Sequence, residues 1–210
     1  FGRMNPPTIG HGKVLDTISK KSGRNDYKIY LSQVSNAKKD PLSYSDKIKH
    51  IRKMFPKHAR QVIINKNVRT AFDVVDLYDS GYRNINMIVG SDRVGEFDVL
   101  LKKYNGVKGR HGFYNFENIN VISAGQRDPD AGGVEGMSAS KQRDNVKKND
   151  YTAFAQGVPS KMSDRDTRKL FNDVRKGMQL EEERQFKRHV DLGKLNDLRE
   201  NYIKGDLYEI

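Results

Sequence analysis

The sequence contains no cysteine among its 210 residues. This absence excludes a disulfide framework, a thiolate zinc site and a cysteine nucleophile. No apolar run approaches the roughly 20 residues that a membrane-spanning helix needs, and no signal peptide is visible. The G-x-x-x-x-G-K-[ST] loop, the G-x-G-x-x-G turn and the H-E-x-x-H zinc spacing do not occur either. We therefore expect a cytoplasmic protein with no membrane partner and no metal bound by protein ligands.

Positive charge is the main compositional bias. Lysine and arginine number 39 against 27 aspartate and glutamate residues, which gives a formal net charge of +12. Such an excess favours an anionic partner, which can be a nucleotide, a nucleic acid or an acidic protein. Apolar residues make up 35% of the chain, and at this length they suffice for the core of one domain with an appendage.

Strand and helix patterns alternate over the first part of the chain. Strands are predicted at residues 27–32, 61–65, 85–89 and 119–123. Helical spacing is found at residues 10–20, 45–55, 71–80 and 93–104. The alternation is typical of a parallel sheet covered on both faces, and it predicts an α/β fold, Rossmann-like with three layers, for residues 1–150. The start FGRMNPP resembles a strand end entering a loop, so we expect a further strand of about 5–6 residues upstream of Phe1.

The pattern changes in the last part of the chain, where helical spacing occurs without strands. Helices are expected at residues 138–148 and 164–176, and residues 180–204 are highly charged. We assign residues 151–210 to a helical, highly charged C-terminal extension. It is either a solvated segment or a surface for assembly, including assembly into a homo-oligomer.

Residues 2–11, GRMNPPTIGH, join a predicted strand end to a helix start. Gly2 allows close approach of the backbone, and Thr8 is a suitable N-cap. Gly10 leaves room for a large flat group, and His11 lies in the first helical turn. The carboxyl end of a strand in an open α/β sheet is where ligands bind, and a helix N-terminus there attracts anions. Taken alone, these residue types also fit ordinary turn chemistry.

Residues 136–143, GMSASKQR, form a second candidate site at the start of another predicted helix. The hydroxyls of Ser138 and Ser140 and several backbone amides point the same way. Arg143 follows Ser140 by three residues and returns to the same side of the helix. The group can bind a polyphosphate, because a guanidinium donates paired hydrogen bonds to charged oxygens. A capped helix with a surface arginine is the alternative interpretation.

The two segments together resemble the T/H-x-G-H and S-x-[ST]-x-x-R motifs of the nucleotidylyltransferase superfamily. The first motif is matched by Thr8, Gly10 and His11, preceded by matching Gly2, Arg3 and Pro6, with Met4 where an aromatic residue is commoner. The second motif is matched by Ser138, Ser140 and Arg143. The resemblance covers about residues 1–145. It is closest to nicotinamide-nucleotide adenylyltransferase-like and cytidylyltransferase-like proteins, including phage-encoded ones.

The resemblance implies roles for these residues. His11, Thr8 and Arg143 would be catalytic. The nucleotide would be bound by Gly2, Arg3, Met4, Thr8, Gly10, His11, Lys38, Ser138, Ser140 and Arg143. Lys38 or its neighbour Lys39 would contact a phosphate, although both also fit solvated loop charges.

A second set of residues would face the acceptor. The turn GSDR at residues 90–93 follows a predicted strand and resembles the acceptor-facing turn of nicotinamide-nucleotide adenylyltransferases. Gly90 would form this turn, Asp92 would accept from a ribose or amide, and Arg93 would hold the acceptor phosphate. The same residues fit a helix N-cap. Residues 124–133, which include Arg127 and Asp128, are either a lid or a long turn.

The reaction implied by the resemblance is the transfer of a nucleoside monophosphate to a phosphorylated acceptor, with release of pyrophosphate. ATP is the favoured donor, because GVEGMS lacks the arginine that precedes the serine in cytidylyl enzymes. Nicotinamide mononucleotide is the favoured acceptor, and a pantetheine phosphate is the alternative suggested by Thr8. Mg²⁺ is expected, held mainly by the substrate phosphates and water.

Two other functions fit the same sequence. One is a cytidylyltransferase, and the other is a non-enzymatic nucleotide-binding, nucleic-acid-binding or structural protein that has kept the fold. The basic residues are dispersed and form no recognised nucleic-acid motif. The histidines outside the first motif are expected at the surface, namely His50, His58, His111 and His189.

Overall fold

The structure is a computed structural model that describes residues 1–110, 112–125 and 137–180, apart from the side chains of Ala71 and Phe72. These residues form a mixed α/β protein. The helices are α1 (Ile9–Ser22), α2 (Tyr44–Met54), α3 (Val75–Asp79), α4 (Val94–Lys103), α5 (Ala139–Lys147), α6 (Tyr151–Ala155) and α7 (Asp164–Gly177). The strands are β1 (Asn84–Val89) and β2 (Asn118–Ser123), and short 3₁₀ turns lie at Pro56–Gln61, Ala71–Val74 and Ser91–Arg93. None of the described helices is long and apolar enough to cross a membrane.

Most of the predicted elements are confirmed to within a few residues. Helices α2 and α7 begin at serine N-caps: Ser43 accepts from the amide of Asp46, and Ser163 accepts from the amide of Asp166. Each aspartate also lies in the first turn of its helix, where a negative charge is favourable. Helix α6 was not predicted, because five residues are too few to show a helical period.

The predicted parallel sheet is confirmed only in part. β1 and β2 pair in parallel, with Asn84 opposite Asn118 and Val89 opposite Ser123. The stretches predicted as strands at 27–32 and 61–65 are joined by a single parallel bridge between Ile29 and Val62. A cavity lies between residues 26–30 and β1, so the described residues contain a two-stranded sheet and not a continuous one.

The major cluster of buried apolar residues holds helices from both ends of the described chain. Its nearly fully buried members include Leu15 of α1, Ile51 of α2, Val146 of α5, Phe154 of α6 and Leu170 of α7. Helices α6 and α7 therefore share one core with α1, and the predicted boundary at residue 150 does not coincide with an edge of that core. Residues 181–210 lie outside the described residues.

The minor cluster lies around the sheet. Ile85 of β1 and Ile119 of β2 pack with Leu101 of α4 and with the rings of Tyr114 and Phe116. The hydroxyl of Tyr114 donates to the Leu101 carbonyl at 2.8 Å, which satisfies the polar end of a fully buried ring.

The prediction that His50 and His58 lie at the surface is wrong. Both side chains are 2% exposed, because each ring packs among elements of the major cluster and pairs with a carboxylate. His50 Nε2 lies 2.7 Å from Asp173 of α7, and His58 Nε2 lies 3.1 Å from Asp16 of α1. The carboxylate gives each buried ring a hydrogen-bond partner at Nε2, while His50 Nδ1 has no partner among the described residues. His111 and His189 lie outside the described residues.

Candidate functional site

The N-terminus of α1 is organised by reciprocal contacts between Thr8 and His11. The Thr8 amide donates to His11 Nδ1 at 3.0 Å, and Thr8 Oγ1 lies 2.9 Å from the same nitrogen. Because Nδ1 accepts from a backbone N–H, the neutral ring carries its proton on Nε2. The contacts form a capping box with histidine in place of the usual glutamate, and they fix the orientation of the imidazole ring.

The loop before α1 is held by the side chain of Asn5. Asn5 Nδ2 donates to the Leu42 carbonyl at 3.1 Å, and Asn5 Oδ1 accepts from the Leu42 amide at 2.9 Å. Asn5 is 2% exposed, so this pair of hydrogen bonds satisfies both ends of a buried amide. Met4 beside it is buried and has a positive φ of 42°, an uncommon conformation for a residue other than glycine. The loop therefore has a fixed shape, and Met4 faces the core instead of an open pocket.

Arg143 of α5 links the second predicted segment to the first. Its Nη1 donates to the Asn5 carbonyl at 2.8 Å, and its Nη2 donates to Ser140 Oγ at 3.1 Å. Burial lowers the pKa of Arg143, and the nearby carboxylates of Asp40 and Asp144 oppose this shift. A guanidinium has five N–H donors, so these two contacts leave donors for a further anion.

The backbone of Met137 completes the junction between the two segments. Its carbonyl lies 3.5 Å from Thr8 Oγ1, and a side chain added at Gly10 would come within 3.3 Å of it. Gly10 thus serves close packing of α1 against the start of α5. The two segments are more than 120 residues apart in sequence, yet they meet at one place.

Two residues that the sequence analysis did not select hold this junction together. The Gly157 carbonyl accepts from the amide of Ile9 at 2.8 Å, and it thereby takes one of the free amides at the α1 N-terminus. Gln142 is fully buried and donates to the Phe154 carbonyl at 2.9 Å. A polar residue four positions before buried Val146, on the inner face of α5, is the sequence signal that could have identified Gln142.

Charged residues gather beside the junction around Asp40. Arg3 Nη1 lies 4.0 Å from Asp40 Oδ2, while Arg3 itself is largely exposed. Lys47 is fully buried and donates to the Ser32 carbonyl and, at 3.2 Å, to the Val34 carbonyl. Burial lowers the pKa of Lys47 to about 8, although the charge of Asp40 opposes the shift. Asp40 and Lys47 were not selected from the sequence, because nothing in their spacing marks them as buried.

One oxygen of Asp40 stands out in this group. Asp40 Oδ2 accepts from Asn36 Nδ2 at 3.1 Å, whereas Oδ1 is buried without a hydrogen-bond partner in the described part of the chain. Arg3, Lys47 and Arg143 supply three positive charges, and Asp40 and Asp144 supply two negative ones. The electrostatic balance of the group therefore favours an anion.

Other predicted residues lie in less specific surroundings. Ser138 is the N-cap of α5, and its hydroxyl accepts from the Lys141 amide at 3.0 Å. The amides of Lys38 and Lys39 donate to Asn36 Oδ1, and both side chains are exposed. Among the described residues, neither lysine side chain has a hydrogen bond or ion pair to the junction. Arg127 and Asp128 lie outside the described residues.

The predicted acceptor turn follows β1 directly. Gly90 caps the 3₁₀ turn Ser91–Arg93, and a side chain at Gly90 would come within 2.7 Å of Asp92 Oδ1. Arg93 Nη1 donates to Glu96 at 2.9 Å, and both side chains are about half exposed. The turn is therefore built as a local cap, in which the Gly90 carbonyl accepts from the Arg93 amide at 3.0 Å.

A metal ion would find few protein ligands here. The described residues contain no group of three or more histidine, aspartate or glutamate side chains that could hold one. The donors around the junction are the carboxylates of Asp40 and Asp144, hydroxyls and an imidazole. Such a set suits Mg²⁺ only if phosphates and water provide most of its six ligands.

Comparison of the chain with protein-family models, with curated proteins and with solved structures gives no match. The chemistry open to the site follows from its geometry. It combines an oriented imidazole, a partly buried guanidinium, a helix N-terminus and an excess of positive charge. These groups can bind and orient a polyphosphate.

Proposed function

We propose that this protein is a nucleotidylyltransferase that moves a nucleoside monophosphate, AMP from ATP in the first place, onto a phosphorylated acceptor. The observation that carries the proposal is the meeting of the two motif segments. Arg143 donates to the Asn5 carbonyl, three residues before Thr8, and the Met137 carbonyl lies against Thr8 and Gly10. This junction gives the triphosphate a single binding place with donors from both sides.

The chemistry would consist of one in-line displacement. An oxygen of the acceptor phosphate forms a bond to the α-phosphorus, and the bond from that phosphorus to the pyrophosphate oxygen breaks. The acceptor phosphate is already anionic, so no general base is needed. His11 would donate from Nε2 and Arg143 from its guanidinium to the phosphate oxygens on which charge accumulates, while Thr8 fixes the ring of His11.

Mg²⁺ would neutralise part of the polyphosphate charge when bound. Few of its ligands would come from the protein, because the junction offers few carboxylate oxygens. The positive charges of Arg3, Lys47 and Arg143 would carry the rest of the neutralisation.

The acceptor would approach along the edge where β1 ends. Gly90, Asp92 and Arg93 follow the carboxyl end of β1, and ligands of open α/β sheets bind at such ends. Nicotinamide mononucleotide is the proposed acceptor. We propose a Rossmann-like, three-layer fold together with this acceptor. The parallel direction of the β1–β2 pair and of the bridges Gly2–Leu31 and Ile29–Val62 supports that fold.

The experiment that tests the proposal is a panel of the four nucleoside triphosphates against several phosphorylated acceptors, read by release of pyrophosphate. We expect ATP with nicotinamide mononucleotide to give turnover, and Arg143→Ala to remove it. Lys147→Ala is the matched control, because Lys147 lies on the same helix, is exposed and pairs only with Asp144 in the described structure.

Two other outcomes would point to a different function. Turnover with CTP alone would make the protein a cytidylyltransferase. No turnover with any pair, together with DNA binding that weakens steeply with salt, would overturn the proposal in favour of a nucleic-acid-binding protein.

A further inference from the structure

A carboxylate and an ammonium group are both buried close to the junction of the two motif segments. Asp40 is 3% exposed and Lys47 is fully buried, although both residue types usually remain in water. Side chains at this depth do not reach a ligand that lies in front of α1, so they act on the candidate site only through other charged groups. Their effect there depends on how each side chain is held.

The ammonium group of Lys47 is held by neutral oxygens. Its Nζ donates to the Ser32 carbonyl, to the Ser32 hydroxyl at 3.2 Å and to the Val34 carbonyl at 3.2 Å. These acceptors match the three donors of an ammonium group but bring no negative charge. Among the described residues, the charged groups that face Lys47 are Asp40, from the loop before α2, and Arg3, from the loop before α1. Asp40 is therefore the counter-charge of this buried cation.

Asp40 is fixed by a closed turn at residues 36–40. Its amide donates to the Asn36 carbonyl at 3.1 Å, and its carbonyl accepts from the Asn36 amide at 2.8 Å. The side chain is less completely held: Oδ2 accepts from Asn36 Nδ2 at 3.1 Å, while Oδ1 has no hydrogen-bond partner in the described part of the chain. A buried carboxylate with one unpaired oxygen depends on nearby positive charge, and Arg3 Nη1 lies 4.0 Å from Oδ2.

The charges of this group act on one another across the junction. Burial lowers the pKa of Lys47 to about 8 and also lowers the pKa of Arg143, and the charge of Asp40 opposes both shifts. Arg3 acts on the same two side chains in the opposite direction, because it adds a further positive charge. Asp40 thus supports two cations at once, one beneath the junction and one that forms part of it.

We propose that Asp40 is a positioning residue of the polyphosphate site, which holds Lys47 as a buried cation and keeps Arg3 beside the junction without touching the ligand itself. A bound polyphosphate adds negative charge near the same cations, so the ligand and Asp40 act on Lys47 in the same direction. This inference rests on the polyphosphate site of the proposed function, but it does not depend on which acceptor is used.

Linkage turns this arrangement into a measurable coupling. If a bound polyphosphate favours the charged form of Lys47, a charged Lys47 must strengthen polyphosphate binding by the same factor. The ionisation of Lys47 and the affinity of the site should therefore move together. A purely structural role for Asp40, in which it only closes the turn at residues 36–40, predicts no such coupling.

The first test uses the unmodified chain, with inorganic tripolyphosphate as the probe. The ¹³Cε resonance of Lys47, assigned with the variant Lys47→Arg, reports the ionisation of the amine. We expect saturating tripolyphosphate to raise the midpoint of this titration by about one pH unit, because the probe brings several negative charges. Lys102 of α4, in the minor cluster, is the internal reference and should not respond. An unmoved midpoint of Lys47 overturns the inference.

The second test removes the charge of Asp40 and keeps its shape. In Asp40→Asn the side-chain oxygen can still accept from Asn36, and we expect the midpoint of Lys47 to fall by about one pH unit. The decline of tripolyphosphate affinity at alkaline pH should move by the same amount. Asp144→Asn is the matched control, because Asp144 also acts on Arg143 but is exposed and pairs with Lys147. Equal midpoints of Lys47 in the two folded variants overturn the inference.

These measurements separate the inference from the proposed function. If no substrate pair releases pyrophosphate, the proposed function fails, whereas the two titrations of Lys47 still support or overturn the role of Asp40. If pyrophosphate is released and neither titration moves, only the role of Asp40 fails. The first test needs no substitution at Asp40, so it decides the inference even if Asp40→Asn does not fold.

Discussion

The two apolar clusters of this protein differ in how far apart in sequence their polar contacts reach. In the major cluster, buried polar side chains bond partners far away in sequence. Asn5 clamps the backbone of Leu42, Arg143 reaches the carbonyl of Asn5, and His50 pairs with Asp173. Each of these contacts joins separate segments, so each one helps to define how the helices meet.

In the minor cluster, Tyr114 and Asn105 bond backbone groups 13 and 11 residues away, and the asparagines of the β1–β2 pair bond their register neighbours. Asn118 donates to Asn84 and Asn120 donates to Asn86 across the β1–β2 pair, all at the surface. Such contacts are replaceable by water and contribute little. The polar contacts named in the major cluster therefore join segments that are farther apart in sequence than those of the minor cluster.

The largest predicted effect comes from replacing His11 with a residue that keeps the N-terminal cap of α1 but lacks the donor at Nε2. In His11→Asn the amide oxygen can still accept from the Thr8 amide, while the donor at Nε2 is lost. We expect kcat for pyrophosphate release to fall about 10²–10³-fold, as for other oriented donors. The thermal midpoint should stay within a few degrees of the unmodified chain. Full activity in this variant would show that the imidazole is only a capping group.

The next largest effect contrasts two asparagines, one from each cluster. Asn5→Ala leaves the buried amide and carbonyl of Leu42 without partners, which costs about 1–3 kcal/mol for each unsatisfied group. Asn86→Ala removes an exposed side chain and should change the free energy of unfolding by about 0.5 kcal/mol or less. Denaturant unfolding of both variants measures the difference. Equal effects would mean that the loop before α1 is not held as described.

A pair of glycines tests how closely α5 is packed. An added methyl group at Gly157 would overlap Gln142 Nε2 at 1.8 Å, whereas Gly95 has no atom within 4 Å of that position. We expect Gly157→Ala to lower the free energy of unfolding by about 1–3 kcal/mol through overpacking. Gly95→Ala, in an exposed turn of α4, should be neutral or slightly stabilising. If Gly157→Ala is also neutral, the junction between α1 and α5 is loose.

Local patterns in the sequence predicted the elements well, and they predicted the sheet poorly. The spacing of Ile48, Ile51 and Met54 indicates α2, and Pro56 marks its end. Sheet continuity is a different property, because it depends on which strands lie next to each other. No periodicity within residues 27–32 could show that one edge of that stretch faces a cavity.

The candidate site also consists of residues that local sequence patterns predicted and residues that they did not. Thr8, Gly10, His11 and Arg143 were selected by motif spacing, and the structure brings them to one junction. Asp40, Lys47, Gln142 and Gly157 were missed, because their importance comes from burial against segments far away in sequence. The clustering of buried charge around Asp40 can be read only after the chain is folded.

The smallest predicted effect concerns His50, whose burial the sequence did not reveal. Burial lowers the pKa of His50 below its ordinary value near 6.5, although the hydrogen bond to Asp173 opposes this shift. The unfolded chain therefore binds a proton at this site more readily than the folded chain, so stability declines as the pH falls below about 6.5. We expect His50→Gln to lose less stability than the unmodified chain between pH 7.5 and 5.5, by about 2–4 °C in thermal midpoint. If the thermal midpoints of the two proteins fall in parallel between pH 7.5 and 5.5, the imidazole of His50 does not cause the loss of stability. The pairing of His50 with Asp173 in the major cluster would then not make the fold sensitive to acid.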